Sequence, residues 1–501
     1  MPQEHFDRLT AIDASFLVQE GPASHMHVGA VAIFEGPAAP FDDFLDQIRE
    51  RLHLVPRYRQ KLSFPPIESG RPVWVDDPSF NLEYHVRQTA LPRPGSEEQL
   101  FNLTSRIFSQ QLDRSKPLWE IWLIEGLDGG RWALVTKTHH AVIDGISGVD
   151  LATVLFDLSP DGTVIAHPDE AWEPAAEPTT AELIASGAVG VARTVVDGAR
   201  RLTSLATRPS EVLAEVREGL EGVGEIAWAG LNPAPDTPLN VEIGPHRRLR
   251  VVRADLADFK LVKNALGGTV NDVVLTVVSG ALRDWLRSRG VRTEGLELRA
   301  LVPVSIRAQD EHHELGNRIA AMRGPLPVYV DDPVARLRVV RQSMDGLKES
   351  KQAIGAEVIA GAQNFAPPTI LAQASRLNFS TRLFNLIVTN VPGPQFPLYV
   401  AGRRALDVFP VAFLPKNHAL AIAIMSYDGQ LNFGLLGDYD ALPDIGAIAD
   451  GLESAIAELV EIANEATAEA ARVNGGSSGR LHAAPGSRSG AKAGQRARSR
   501  T

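Results

Sequence analysis

Arg131-Trp-Ala-Leu-Val-Thr-Lys-Thr-His-His-Ala-Val-Ile-Asp-Gly-Ile-Ser-Gly148 is the stretch of sequence that decides the fold. It follows Leu127-Asp-Gly-Gly130, which is typical of a hairpin turn. The residues after the turn alternate as in a β-strand, and this strand runs directly into two adjacent histidines. Because side chains alternate between the two faces of a strand, His139 and His140 should point in opposite directions if the strand continues through them, and they would then not serve one site together.

His140 at the end of this strand is a candidate general base. A neutral imidazole, with a reference pKa of ~6.5, can take a proton from a hydroxyl group near neutral pH. Asp144 lies beside Gly145, where the chain must turn, and its carboxylate is expected to hold the loop by bonding the backbone or an arginine. A metal site is disfavoured, because the two histidines face apart and no third ligand follows at a suitable spacing.

Three other sequence patterns do not indicate a catalytic or cofactor-binding site. His312 and His313 lie in a polar segment and are interpreted as loop residues. Gly475-Gly-Ser-Ser-Gly479 fits the G-x-S-x-G nucleophile pattern, but it has neither a strand before it nor a helix after it. The run that begins at Gly222 imitates a dinucleotide fingerprint without a preceding strand, so no bound nucleotide cofactor is predicted.

The composition places the chain among ordinary globular proteins. Its 501 residues, 44% hydrophobic and 22% charged, suffice for two domains with a large core. The absence of cysteine excludes disulfides, thiolate metal sites and an acyl-thioester intermediate on the protein. The first residues do not resemble a signal peptide and no uncharged apolar run reaches ~18 residues, so we expect a cytoplasmic protein whose membrane contact is peripheral.

The charge is distributed unevenly along the chain. The net charge of -11 includes seven Arg and Lys residues after Ala471, where there is no acidic residue, so the remainder carries -18. A body this acidic repels nucleic acid, because duplex binding requires a basic face. We therefore predict no nucleic-acid partner.

Short apolar runs alternate with helical patterns and predict a mixed α/β (α+β) fold. The predicted strands are Val28 to Phe34, Leu118 to Glu125, Trp132 to Thr138, Leu249 to Val252, Leu298 to Val304, Phe384 to Thr389 and Leu420 to Met425. The predicted helices are Phe41 to Leu54, Asn271 to Arg287, Val334 to Lys348 and an amphipathic helix from Ile445 to Ile462. We divide the chain into an N-terminal lobe (1–180), a helical and Pro-rich crossover (181–237), a C-terminal lobe (238–471) and a disordered basic tail (472–501).

The crossover and the tail each allow two interpretations. A predicted amphipathic helix from Thr180 to Thr207 either packs on the second lobe, which is favoured, or rests on a membrane surface. The tail, which from about Asn474 has almost no large apolar side chain, is either a solvated terminus or a segment attracted to an anionic lipid surface.

The motif His139-His-Ala-Val-Ile-Asp-Gly145 resembles the HHxxxDG signature of the CoA-dependent acyltransferase superfamily. Further blocks resemble the bacterial wax ester synthase/diacylglycerol acyltransferase family in its actinobacterial form. These blocks are Leu9 to Phe16, Met26 to Gly29, Pro117-Leu-Trp119, Asn271-Asp272, Pro303 to Arg307, Leu315-Gly-Asn317 and Thr389-Asn-Val-Pro-Gly-Pro394. The resemblance covers Leu9 to about Ile462, and the basic tail lies outside it.

The resemblance implies two similar lobes, like those of chloramphenicol acetyltransferase, around a central active-site tunnel. It implies that His140 deprotonates an acceptor alcohol, which attacks the thioester of a long-chain acyl-CoA, with His139, Asp144 and Gly145 in support. Asn271 and Asp272 match a block implicated in activity, although Asn271 also suits a helix N-cap. No cofactor is implied besides acyl-CoA as co-substrate.

The acceptor implied by the resemblance is diacylglycerol or a long-chain alcohol, which would give triacylglycerol or wax ester. The expected location is cytoplasmic, at a membrane or lipid-droplet surface. Direct transfer is favoured, because there is no cysteine and no serine in a credible nucleophile turn. Ser426, Thr389 and Asn390 remain alternatives as donors to the oxyanion. Two other functions stay open: a stand-alone condensation-type enzyme that uses carrier-bound donors, and a non-catalytic lipid-binding scaffold.

Overall fold

A computed structural model defines the fold over most of the chain. It describes residues 7–66, 71–143, 154–163, 165–166, 172–183, 232–305, 319–349 and 379–477. The strands are β1 Asp7–Arg8, β2 His27–Phe34, β3 Gln60–Ser63, β4 Val73–Asp76, β5 Val86–Ala90, β6 Trp119–Leu127, β7 Arg131–His139, β8 Arg247–Asp255, β9 Leu298–Ser305, β10 Ile319–Leu326, β11 Leu386–Pro392, β12 Tyr399–Val400, β13 Arg403–Val411, β14 Leu420–Tyr427 and β15 Gln430–Asp438.

The helices flank these strands. They include α1 Ala11–Gln19, α2 Phe41–Arg51, α3 Leu82–His85, α4 Glu97–Phe108, α5 His140–Ile143, α6 Leu256–Leu266, α7 Val270–Ser288, α8 Pro333–Glu349 and α9 Ile445–Ser477. Helix α1 begins after Thr10, whose side chain accepts a hydrogen bond from the backbone of Asp13. Helix α4 begins with a capping box between Ser96 and Gln99.

Two six-stranded sheets organise the described residues. The first has the order β12-β13-β2-β7-β6-β5, and the second has the order β10-β9-β11-β14-β15-β8. In the first sheet β2, β7 and β6 pair antiparallel, and β5 runs parallel to β6. In the second sheet β11 runs parallel to both of its neighbours. Strand β7 lies inside its sheet and is buried from Trp132 to His139, so the quoted stretch forms the centre of the first core.

Strand β13 comes from the C-terminal half of the sequence but pairs with β2 in the first sheet, with Val408 opposite Ala32. The two sheets approach closely at this strand, because a Cβ built on Gly434 of β15 would lie 1.9 Å from the carbonyl oxygen of Pro410. The Asn432 amide also donates to the carbonyl of Val408 at 3.2 Å. A strand contributed by one half of the chain therefore joins the two halves.

The predicted strands and helices named above are present, and, except for the last helix, which was predicted to end at Ile462, their ends differ by a few residues. Helix α9 extends to Ser477, beyond Arg472 where the disordered tail was predicted to begin. Its Ala- and Glu-rich sequence between Glu465 and Arg472 favours helix continuation. Most of the predicted helix from Thr180 to Thr207, and the tail after Ser477, lie outside the described residues. The boundaries of the four predicted regions stay a prediction.

In the described part of the chain, no single helix is long and apolar enough to span a membrane. The pair α6 and α7 passes that test of length and composition when taken together, with a bend of 99° between the helices. Helix α7 is buried along most of its length, from Asp272 to Leu286 with one exception, which is the pattern of a core helix.

Candidate active site

His140 lies at the junction between a strand and a helix. The last paired residues of β2 and β7 are His27 and His139, and α5 begins at the next residue. The backbone N–H of His140 donates to the carbonyl oxygen of Met26 at 2.9 Å. Met26 is fully buried and has a φ of 50°, in the left-handed region that non-glycine residues seldom adopt. This unfavourable backbone conformation occurs where the chain holds His140 in place.

The imidazole of His140 lies among aromatic rings. It stacks on Phe16 of α1, with ring centroids 4.0 Å apart, and meets Phe413 edge-on at 5.4 Å. Phe379 lies 6.0 Å from Phe16 and 5.9 Å from Phe413. Burial, and to a smaller extent the neighbouring His139, lowers the pKa of His140 to about 4. The ring is therefore neutral at pH 7 and can accept a proton.

The ring of His139 occupies a different environment, on the other side of the strand end. It is fully buried, and its Nδ1 accepts a hydrogen bond from the backbone N–H of Ala141 at 3.1 Å. Its Nε2 lies 3.6 Å from a carboxylate oxygen of Glu20. The two rings have different neighbours, but β7 ends at His139 and α5 begins at His140, so the strand does not continue through the pair and its alternation does not account for the orientation of the rings.

The carboxylate of Glu20 lies close to several polar side chains next to the histidine pair. The guanidinium of Arg114 donates to its carboxylate at 2.7 Å, and Nε2 of His27 lies 3.6 Å from its other oxygen. Burial alone would raise the pKa of Glu20, but His139, His27 and Arg114 together hold that pKa well below its usual range. Burial lowers the pKa of His27 to about 3, so this histidine is neutral.

Sequence analysis missed Glu20 and Arg114. One weak signal was present: Glu20 is the C-cap residue of α1, and a carboxylate at a helix C-terminus opposes the helix dipole. A residue in that position needs a compensating cation, but nothing in the local sequence indicates that Arg114 supplies it.

Lys137 forms a second buried ion pair on the same face of β7 as His139. Its ammonium group donates to the carbonyls of Ile107 and Gln110 at 2.8 and 2.9 Å, and lies 2.6 Å from the carboxylate of Glu120. Burial lowers the pKa of Lys137 despite the favourable effect of Glu120. The cation also stabilises the C-terminal end of α4.

Asn271 and Asp272 lie in the first turn of α7, whose N-cap is Thr269, so the interpretation of Asn271 as the N-cap is wrong. The carboxylate of Asp272 accepts hydrogen bonds from the backbone and hydroxyl of Thr269, and the Thr269 hydroxyl accepts from the backbone of Asp272 in return. This capping box gives Asp272 a structural task. The hydrogen bond and the ring contacts of His140 described above involve neither Asn271 nor Asp272. The participation of these two residues in catalysis stays a prediction.

The described residues include only some of the other predicted site residues. Asp144, Gly145, His312 and His313 lie outside the described residues. Of the oxyanion candidates, Ser426 accepts hydrogen bonds at its hydroxyl from the backbone of Gly393 and from the Gln395 amide. Among the described residues, no group of three side chains is arranged to hold a metal ion.

Comparison with known proteins identifies a family. The model of the wax ester synthase/diacylglycerol acyltransferase catalytic domain matches residues 9–274, and the model of the WS/DGAT C-terminal domain matches residues 315–460. The chain is 37% identical over 460 residues to the probable diacylglycerol O-acyltransferase tgs1 of Mycobacterium tuberculosis, covering 91% of this chain and 96% of the relative. It is 33% identical over 467 residues to tgs2 of the same organism, covering 90% and 98%.

Solved structures show the same architecture. The wax ester synthase/diacylglycerol acyltransferase of Marinobacter aquaeolei VT8 aligns with a TM-score of 0.63 and 29% identity, covering 91% of this chain and all of that one. The first condensation domain of the calcium-dependent antibiotic synthetase aligns with a TM-score of 0.57 at 16% identity, covering 92% and 96%, and is similar in fold alone.

The chain has two joined α/β lobes and a neutral histidine at the end of a central strand. These features define a protein of the acyltransferase class, which shares its fold with condensation domains. Within that class, the chain belongs to the wax ester synthase/diacylglycerol acyltransferase family. The predicted family, the mixed α/β fold and the assignment as an acyltransferase are thereby confirmed.

Proposed function

We propose that this enzyme transfers a long-chain acyl group from acyl-CoA to the hydroxyl of diacylglycerol, and to long-chain alcohols as a second acceptor, with His140 as the general base. The observation that carries the proposal is the neutral imidazole of His140 among Phe16, Phe379 and Phe413. Apolar aromatic walls suit the hydrocarbon part of both substrates, and the imidazole suits the acceptor hydroxyl.

The reaction proceeds in one transfer. The imidazole of His140 takes the hydroxyl proton, and the acceptor oxygen attacks the thioester carbonyl carbon. The new C–O bond forms, the C–S bond breaks, and the departing CoA thiolate takes the proton back from the imidazolium. Because a base with a lowered pKa is a weak base, positioning of the two substrates contributes more to the rate than proton transfer does.

The choice of diacylglycerol as acceptor is supported by the names of family relatives rather than by contacts in the structure. The tgs1 and tgs2 relatives are named diacylglycerol O-acyltransferases, and the Marinobacter structure is named for both activities. The direct test is incubation of the purified enzyme with labelled palmitoyl-CoA and either dioleoylglycerol or hexadecanol, followed by separation of neutral lipids. Labelled triacylglycerol in excess over wax ester is expected. Binding of acyl-CoA without either product would instead favour the lipid-binding scaffold.

Phe16→Ala is expected to move the acid limb of the kcat/KM profile to higher pH. Removal of the stacked ring admits water to His140, so its pKa rises from about 4 towards its ordinary value. The protonated imidazole cannot act as a base, so the variant loses activity at a pH where the wild type is still active. The measurement is kcat/KM between pH 4.5 and 8, with Phe64→Ala as the control because Phe64 is 52% exposed. An unchanged acid limb would show that His140 is not the titrating group.

We propose that the basic residues after Ala471 attract the enzyme to anionic lipid surfaces. Seven Arg and Lys residues stand there with no acidic residue, and cations near an anionic surface contribute ~1 kcal/mol each. A chain that ends at Ser477 is expected to lose salt-sensitive binding to vesicles that contain phosphatidylserine while retaining activity on dispersed substrate. Equal binding of both chains in a flotation assay would contradict this role.

A further inference from the structure

Helix α1 contacts both histidines of the motif. Phe16 stacks on the ring of His140 at 4.0 Å, and Glu20, the C-cap residue of the same helix, lies 3.6 Å from Nε2 of His139. Residues four positions apart lie on one face of a helix, so a single helix face meets both rings. No helix was predicted over the residues of α1, and Leu9 to Phe16 entered only as a block of the family resemblance.

The contacts of His139 determine which nitrogen carries its proton. Nδ1 accepts from the backbone N–H of Ala141, so the proton of the neutral ring is on Nε2, which faces Glu20. The N–H of Ala141 belongs to the first turn of α5, where N–H groups have no partner within the helix. His139 thus caps the helix that begins with His140.

Arg114 holds Glu20 in place. Its guanidinium donates to the Glu20 carboxylate at 2.7 Å and to the carbonyl of Leu17 at 2.7 Å, so it ties the carboxylate to the last turn of α1. The side chain of Glu20 is only 4% exposed, which makes the orientation of its carboxylate well defined. The charged and titratable groups around it include Arg114, His27 and His139, and Lys137 and His25 also interact with its charge.

We propose that Glu20, anchored by Arg114, is a positioning residue for His140. The Glu20 carboxylate lies 3.6 Å from Nε2 of His139 and attracts its N–H electrostatically from just beyond hydrogen-bond distance. This attraction favours the tautomer that leaves Nδ1 free to cap α5, and the capped helix sets the place of the His140 ring. Phe16 on the same helix fixes the ring plane. Glu20 itself touches no reacting atom in this arrangement. The inference rests on the base role of His140 proposed above.

The test compares Glu20→Gln with Glu120→Gln. Both residues are buried carboxylates that pair with a cation, but Glu120 pairs with Lys137 and contacts neither motif histidine. Glu20→Gln is expected to lower kcat by about 10- to 100-fold, a loss comparable to that seen when the outer partner of a metal-bound histidine is removed. The KM for palmitoyl-CoA should stay within about twofold, because no substrate contact changes. Glu120→Gln should retain kcat.

A spectroscopic signature separates positioning from a loss of folding. In protein labelled with 15N-histidine, the Nε2–H signal of His139 is assigned by its absence in His139→Gln. It should be unchanged in Glu120→Gln and displaced in Glu20→Gln. Arg114→Lys, which keeps the positive charge beside Glu20, should retain more activity than Arg114→Met, and this pair provides the test if Glu20→Gln does not fold.

Three results would overturn the inference: wild-type kcat in Glu20→Gln, an equal loss of kcat in both glutamine variants, or an unmoved His139 signal. Failure of the proposed function is distinguishable from these results. If His140→Ala keeps full activity, the base role fails; if His140→Ala is impaired while Glu20→Gln is not, only the positioning role fails.

Discussion

His140→Ala is expected to lower kcat by about 10²- to 10⁴-fold, which is the contribution of a well-positioned general base. The variant lacks a group that can take the acceptor proton, whereas the aromatic walls that receive the substrates remain. The KM values for palmitoyl-CoA and dioleoylglycerol should therefore change little. A residual rate above the uncatalysed reaction is expected, because both substrates are still held together.

The matched control for this variant is His246→Ala. His246 is an exposed histidine in the second lobe, and its ring lies edge-on to Tyr439 with centroids 6.3 Å apart. Wild-type kcat in this control, together with an unaltered far-UV spectrum of both variants, would assign the loss to the removed imidazole. If His140→Ala kept more than a tenth of the wild-type kcat with both acceptors, the base role would be wrong.

Lys137→Met is expected to destabilise the fold by about 3 to 5 kcal/mol, the cost of removing one partner from a buried ion pair. The ammonium group is 1% exposed and donates to the carbonyls of Ile107 and Gln110. Without it, the Glu120 carboxylate, which is 7% exposed, has only Arg87 at 3.5 Å. The measurement is the free energy of unfolding from urea denaturation at pH 7.

The double variant Lys137→Met/Glu120→Leu tests the reason for this loss. Replacement of both charges by apolar groups removes the uncompensated carboxylate, so the double variant should be more stable than Lys137→Met alone. If the two substitutions instead add their separate costs, the ion pair does not account for the effect. Lys137 lies on β7 two residues before His139. Thermal inactivation of the enzyme should therefore be faster in Lys137→Met than in the double variant.

Much of the fold was predictable because the strands have local signatures. The alternation after Gly130 predicted β7, but it did not predict that the strand ends at His139 and that His140 begins a helix. The motif and its companion blocks identified the family over nearly the whole body. The base role of His140 was inferred from residue type and position, and the structure adds the aromatic rings that keep it neutral.

Three features could not be read from local sequence. Strand β13 begins with two arginines and was not among the predicted strands, and nothing in its local pattern indicates that it joins the first sheet rather than the second. Glu20 and Arg114 are 94 positions apart, so no short-range spacing links them. Phe16 and Phe413 come from opposite ends of the chain, and both meet the ring of His140.

The sequence by itself determined the class of fold, the family and the identity of the central histidine, because periodicity and motif residues are local properties of the chain. The tertiary structure alone decided the environment of that histidine: which rings bury it, which carbonyl holds its backbone and which carboxylate faces its neighbour. The physical reason is that burial and ion pairing depend on distances between residues far apart in sequence. Those distances exist only once the two sheets have packed against each other.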